Sequence, residues 1–314
     1  MGTELDVVWN LTLAANIISA NVQYGQIEDI KAVSGVRDVV LEALYEPCEV
    51  DEGEEYEPNM STSPEQIGSP AAYAAGYTGA GTRIAIVDTG LDLDHISFSA
   101  AGFQYSLALQ AGRADVSVED YIQQLDLLDA EEIQAHLDQL NVKEYAAGIT
   151  ADGLYQNRKV PFGYNYIDRS HTYLGHDQDL EGEHGSHVAG IATSNAYISN
   201  GDGTFSTALD SVLVQGVAPD AQLLVMKVFG QNGGAYDSDY MVAIEDAMVL
   251  GADAANLSLG GSFPGYSEYT EEKYRHILDE IVGSGMVVTI SAGNSGSWFD
   301  QTAFGLPYAG SVNW

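Results

Sequence analysis

The 314 residues carry 46 acidic side chains against 11 lysines and arginines, a formal charge of −35, with 45% hydrophobic residues and 34 glycines. That size and apolar content suit one large α/β domain with an appended piece, or two domains, while the charge argues against nucleic-acid binding, which needs clustered Lys and Arg. Cys48 is the only cysteine, so an intramolecular disulfide is excluded, and no apolar run approaches the roughly 18 residues of a membrane span.

Acidity of this degree fits solubility, cation binding or a salty or secreted setting, and does not choose among them. The opening residues Met1 to Asp6 have neither the basic nor the apolar region of a signal peptide. Residues 4–13 are rich in β-formers and predict a strand. Ile27, Ile30 and Val33 recur at helical spacing, with Gly35 as a stop, and Val36 to Leu44 predicts a second strand. A small α+β module over 1–45 follows from this pattern. Glu46 to Glu57 holds seven acidic residues in twelve without apolar periodicity, and reads as a solvated linker over 46–68. The remaining domain, 69–314, opens on a short Ala-rich helix from Pro70 and a glycine cluster at Gly76 to Gly81. That cluster lacks the ending of a phosphate loop and reads as a turn.

Thr82 to Val87 is a continuous apolar run, as in a buried parallel strand, and it ends in Asp88-Thr89-Gly90. Val118 to Tyr145 has a helical pattern that breaks once, Pro161 to Asp168 is strand-like, and 171–183 is polar loop. Asn200 to Thr204 faintly resembles a calcium loop without the full ligand pattern. Strands at 222–229, 254–261 and 286–290 alternate with helices at 238–250 and 268–282. Such alternation predicts a doubly wound, mostly parallel α/β sheet.

Three residues fall at the strand–helix junctions of that sheet. His184 opens a helix of small residues, Glu183 to Ala192, where its ring can act as a general base. Taken alone, a histidine beside a helix start is more often a cap or a satisfied polar contact. A metal site is the other reading, because His184 and His187 stand three apart with His171, His176, Asp177, Asp179, Glu181 and Glu183 upstream. The helical zinc signature H-E-x-x-H is absent, however. Asp88 sits where doubly wound sheets collect functional groups, and can orient a histidine. Asn294, after the strand at 286–290, can donate to an oxyanion. Together the three predict an acyl-transfer site.

These motifs resemble those of the subtilisin-like serine proteases, the subtilases, and the insertion between Asp88 and His184 resembles the large cell-envelope proteinases of Gram-positive bacteria. Asp88-Thr89-Gly90, His184 to Gly190 and Ser291 to Asn294 match the family's aspartate, histidine and oxyanion motifs, with Ser186 where Thr is usual. Asn256 to Gly261 matches its substrate-pairing strand. The resemblance implies that Asp88 orients His184, that His184 serves the nucleophile, and that Asn294 stabilises the oxyanion. It further implies that Ser258, Leu259 and Gly260 hold an extended peptide by strand addition. Residues 4–45 resemble an inhibitory propeptide lying in the protease's own cleft, with a maturation cut in the acidic linker. Protein or peptide substrates, a secreted or cell-envelope location, and no cofactor beyond an optional structural calcium follow from the same resemblance.

One motif is missing. No Gly-Thr-Ser occurs after Asn294, so the chain is expected to be an N-terminal portion of a longer protease, inactive alone, with its catalytic domain C-terminally incomplete. The other readings are a peptide-binding or inhibitor-like protein without a nucleophile, and a metallohydrolase built on His171 to His187.

Overall fold

A computed structural model describes residues 5–47, 63–145, 148–171, 182–230, 234–260 and 268–291. The chain opens with an antiparallel hairpin, β1 (Asp6–Leu11) and β2 (Ile17–Asn21), then the short helix α1 (Ile27–Lys31) and the strand β3 (Leu44–Pro47). Helices α2 (Ser63–Gln66) and α3 (Ser69–Ala74) lead into β4 (Arg83–Asp88). A long insertion follows, comprising α4 (Ala100–Arg113), α5 (Val118–Gln124), α6 (Ala130–His136), α7 (Asn141–Tyr145) and α8 (Ala151–Leu154). Then come β5 (Phe162–Asn165), α9 (His184–Thr193), the hairpin β6 (Tyr197–Ser199) and β7 (Phe205–Thr207), α10 (Ala208–Ser211) and β8 (Gln222–Lys227). The described chain closes with β9 (Ala235–Tyr236), α11 (Asp237–Val249), β10 (Ala254–Leu257), β11 (Leu259–Gly260), α12 (Glu268–Gly283) and β12 (Val287–Ile290).

The frame is a five-stranded parallel sheet in the order β12-β10-β4-β8-β5. Side chains alternate across a strand with period two, and here both faces are apolar. Ala85 and Val87 of β4, with Leu224 and Met226 of β8, enter the larger core with α11 and α12. Ile86, Leu223 and Val225 enter a second core with Ala189 of α9. Helices on both faces of a parallel sheet make this a doubly wound α/β fold, as its alternating pattern predicts. Both β4 and β8 end at one edge, in register at Asp88 and Lys227.

The insertion is tied to the other end of the sheet. The Arg83 guanidinium donates to the Leu250 carbonyl at 2.9 Å and the Asp126 carbonyl at 2.7 Å, and pairs with Glu132 at 3.0 Å. The Gln222 amide exchanges two hydrogen bonds with the Leu128 backbone. Most of the insertion's helices start at a capping side chain, namely Ser99, Ser117, Asp129 and Thr150. The pattern over 118–145 breaks more than once: Asp129 caps a new helix at α6, and a 3-10 turn at Leu137–Gln139 separates α6 from α7.

The N-terminal module differs from its predicted strand–helix–strand plan in two ways. A second strand, β2, folds back on β1, and the third strand comes later than 36–44, running across the 45/46 boundary into the acidic stretch. Its position follows from distant partners. β3 lies between β11 and β9 in an antiparallel sheet, with Glu46 opposite Gly260, Pro47 opposite Leu259, Tyr45 opposite Ala235 and Leu44 opposite Tyr236. The fully buried Trp9 donates from Nε1 to Asp239 at 2.9 Å, and Arg169 stacks over its ring at 4.5 Å. Residues 48–62, including Cys48, lie outside the described residues.

Candidate active site

Asp88 ends β4 and is 1% exposed, while His184 opens α9 and is 8% exposed. The fold brings the two together, 96 residues apart in sequence, with His184 Nδ1 and Asp88 Oδ1 at 2.7 Å. A carboxylate at Nδ1 fixes the tautomer that keeps a proton there, so Nε2 is the nitrogen able to accept one. The same Asp88 oxygen accepts the Thr89 N–H at 2.7 Å. Asp88 Oδ2 is buried and has no hydrogen-bond partner among the described residues.

Small residues let the helix come this close. A Cβ on Gly185 would stand 2.3 Å from the Gly90 carbonyl oxygen and 2.9 Å from its nitrogen, so no larger residue fits. Gly90 itself takes φ +118°, a conformation that favours glycine. The Thr89 hydroxyl accepts the Gly185 N–H at 2.8 Å and donates to the Gly182 carbonyl at 3.2 Å, clamping the helix start to the aspartate turn. Ser186 Oγ accepts the Asp92 N–H at 2.7 Å. This bond explains why serine serves where the related motif has threonine, because only the hydroxyl is used.

Leu259 and Gly260 form β11 and pair with β3, whereas Ser258 links β10 to β11 and its hydroxyl accepts from Asn256 Nδ2 at 2.8 Å. Asn294 lies outside the described residues. His187 is exposed while His184 is buried; His176, Asp177, Asp179 and Glu181 of the alternative metal cluster lie outside the described residues, among which no group of three or more His, Cys, Asp or Glu would hold a metal ion. In the Asn200 to Thr204 loop the Asp202 carboxylate is taken up by the Thr204 backbone N–H at 2.9 Å and hydroxyl at 2.6 Å. These hydrogen bonds hold its carboxyl below the usual range.

Two further buried charges carry little sequence signal. Lys227 is fully buried and donates from Nζ to the Thr89 carbonyl at 2.6 Å. Glu245, on the buried side of α11, accepts the backbone N–H groups of Leu13 at 2.8 Å and Ala14 at 2.7 Å. A charge inside an apolar run was the available clue in both cases.

An imidazole held by a buried carboxylate at the strand ends of a doubly wound sheet is an arrangement able to take a proton from an attacking hydroxyl and return it to a leaving group. Residues 79–313 match the Peptidase S8 pattern, the subtilase family, and the chain belongs to that family. It is 29% identical over 285 residues to the PI-type proteinase of Lactococcus lactis subsp. cremoris, covering 90% of this chain and 12% of that protein. To the C5a peptidase of Streptococcus pyogenes it is 31% identical over 229 residues, 73% of this chain and 16% of the relative. To the minor extracellular protease Vpr of Bacillus subtilis (strain 168) the identity is 26% over 245 residues, 76% of this chain and 21% of the relative. The chain thus spans a small fraction of these relatives, and it resembles the envelope proteinases of Gram-positive bacteria as its insertion implied. No helix among the described residues is long and apolar enough to cross a membrane.

Proposed function

We propose that this chain is the zymogen portion of a secreted or cell-envelope serine endopeptidase, with residues 5–47 acting as its own inhibitor. In this reading Asp88 orients His184, and His184 takes the proton of a serine hydroxyl supplied by another part of a longer protein. Asn294 then steadies the tetrahedral oxyanion, and His184 returns the proton to the leaving amine. No cofactor takes part.

The observation that carries the proposal is the position of β3. It fills an antiparallel slot between β11 and β9, one strand wide, which an extended substrate would otherwise enter by strand addition. Tyr45, 2% exposed, meets Tyr240 of α11 edge-on with ring centres 5.4 Å apart, so the slot also offers an aromatic pocket. Maturation would cut within 48–62 and leave β3 on the module.

Expression of the whole gene product tests this. Intact protein should process itself, show a new N-terminus within 48–62 and hydrolyse an unfolded protein substrate. H184A and D88N should abolish both. A full-length protein that is folded, keeps both residues and neither processes nor hydrolyses would overturn the reading.

A further inference from the structure

A lysine in the middle of a sheet needs a reason. All six residues of β8 are buried, and Lys227 is 0% exposed at its end. An ammonium group is stable there only where acceptors meet it. One of those acceptors is the Thr89 carbonyl, at 2.6 Å from Nζ. Such a charge-assisted bond is roughly twice as strong as a neutral one.

The grip falls on the turn that aims Asp88. The Asp88 carbonyl accepts the Val228 N–H at 2.9 Å, continuing the β4–β8 ladder one step past the strand. The Thr89 N–H is spent on Asp88 Oδ1 at 2.7 Å, and the Thr89 hydroxyl is spent on Gly185 and Gly182. Beyond comes Gly90 at φ +118°, which by itself gives the chain freedom to swing. The Thr89 carbonyl is therefore the last backbone group holding the turn before a flexible joint, and the lysine is what holds it.

We propose that Lys227 is a positioning residue for the Asp88–His184 pair: through the Thr89 carbonyl it fixes the turn that keeps the carboxylate on His184 Nδ1. The proposal rests on the reading of Asp88 and His184 as the working pair, and its test separates the two. In the 314-residue chain labelled with ¹⁵N and ¹³C, a hydrogen bond of the observed kind gives His184 a low-field Nδ1–H proton resonance, assigned by its loss in H184A. In K227M, which keeps the length and removes the charge, that resonance should broaden away or exchange with water about ten-fold faster, the factor that corresponds to one net hydrogen bond. K227R, which keeps the charge and donors, should restore it.

A folded K227M with an unchanged His184 resonance overturns the proposal. If K227M does not fold, the unchanged protein still decides: a scalar coupling between Lys227 Nζ and the Thr89 carbonyl carbon is expected, and its absence overturns the proposal. Absence of any low-field His184 resonance in the unchanged chain, with the Lys227 coupling present, overturns the reading of the pair instead.

Discussion

The Glu245 carboxylate, on a helix of the main domain, accepts the backbone N–H of Ala14, 231 residues earlier, at 2.7 Å. It also takes the N–H groups of Leu13 at 2.8 Å and of Thr12 and Ala15 at 3.3 Å each. One carboxylate thus satisfies the run of N–H groups at the tip of the β1–β2 hairpin, where no ladder reaches. E245A leaves those donors without an acceptor, at a cost of about 3 kcal/mol. Hydrogen exchange at residues 12–15 should accelerate about a hundred-fold in that variant, with E245Q between the two. Unchanged protection would show that the module is held elsewhere.

Tyr45 makes the second prediction. Its ring is buried against Tyr240, and Leu44 beside it packs where Gly234 has no side chain: a Cβ there would stand 2.4 Å from Leu44. Y45A should cost about 3 kcal/mol and loosen β3 from β9 and β11. Limited proteolysis should then cut near 44–47, while L41A, at a residue 82% exposed, should leave the segment protected. Equal cleavage of both variants would mean that the aromatic contact contributes nothing to holding the strand.

Legibility in the sequence followed the range of the interactions. Thr82 to Asp88 was readable because a buried parallel strand is apolar throughout and its end is abrupt. His184 was readable because only small residues tolerate the approach that Gly185 makes to Gly90. β3 was not, since Leu44-Tyr45-Glu46-Pro47 has no strand pattern of its own, a proline weakens it further, and its partners lie some 190 residues and more downstream. α4 was missed for a different reason: Phe103, Leu107 and Ala111 recur on its buried face, but Gly102, Ser106 and Gln110 share that face and dilute the apolar signal. Asn294 rests on its motif alone, beyond the described residues.

Asp246 supplies a pH dependence. Fully buried, it accepts the Asn141 N–H at 2.6 Å and the Tyr166 hydroxyl at 3.0 Å, fastening α7 of the insertion to α11. Burial pushes its carboxyl up to about 7, against the hydrogen bonds that pull the other way. The folded chain then binds more protons than the unfolded chain between about pH 4 and 7, so stability falls as pH rises through that window and levels off above it. The slope is at most ~1.4 kcal/mol per pH unit. D246N should flatten this part of the curve, read by chemical denaturation at pH 5 and pH 7.5. A variant curve parallel to the parent's would assign the slope to another group.

Two glycines on α9 should respond to the same substitution with opposite signs. Gly185 is pressed against backbone, with the Gly90 oxygen 2.3 Å and Asp88 Oδ1 3.2 Å from any added Cβ, and neither neighbour is the free end of a flexible chain. G185A must push the helix start away from the aspartate turn, costing about 1–3 kcal/mol and lengthening the 2.7 Å contact between His184 and Asp88. Gly190, one and a half turns on, has nothing within 4 Å of an added Cβ, so G190A should gain up to about 1 kcal/mol through helix propensity. Melting temperatures should move down for the first and up for the second. The low-field His184 proton should be lost only in the first. If both variants keep that proton and melt alike, the close approach of α9 to Gly90 does not set the geometry of the pair.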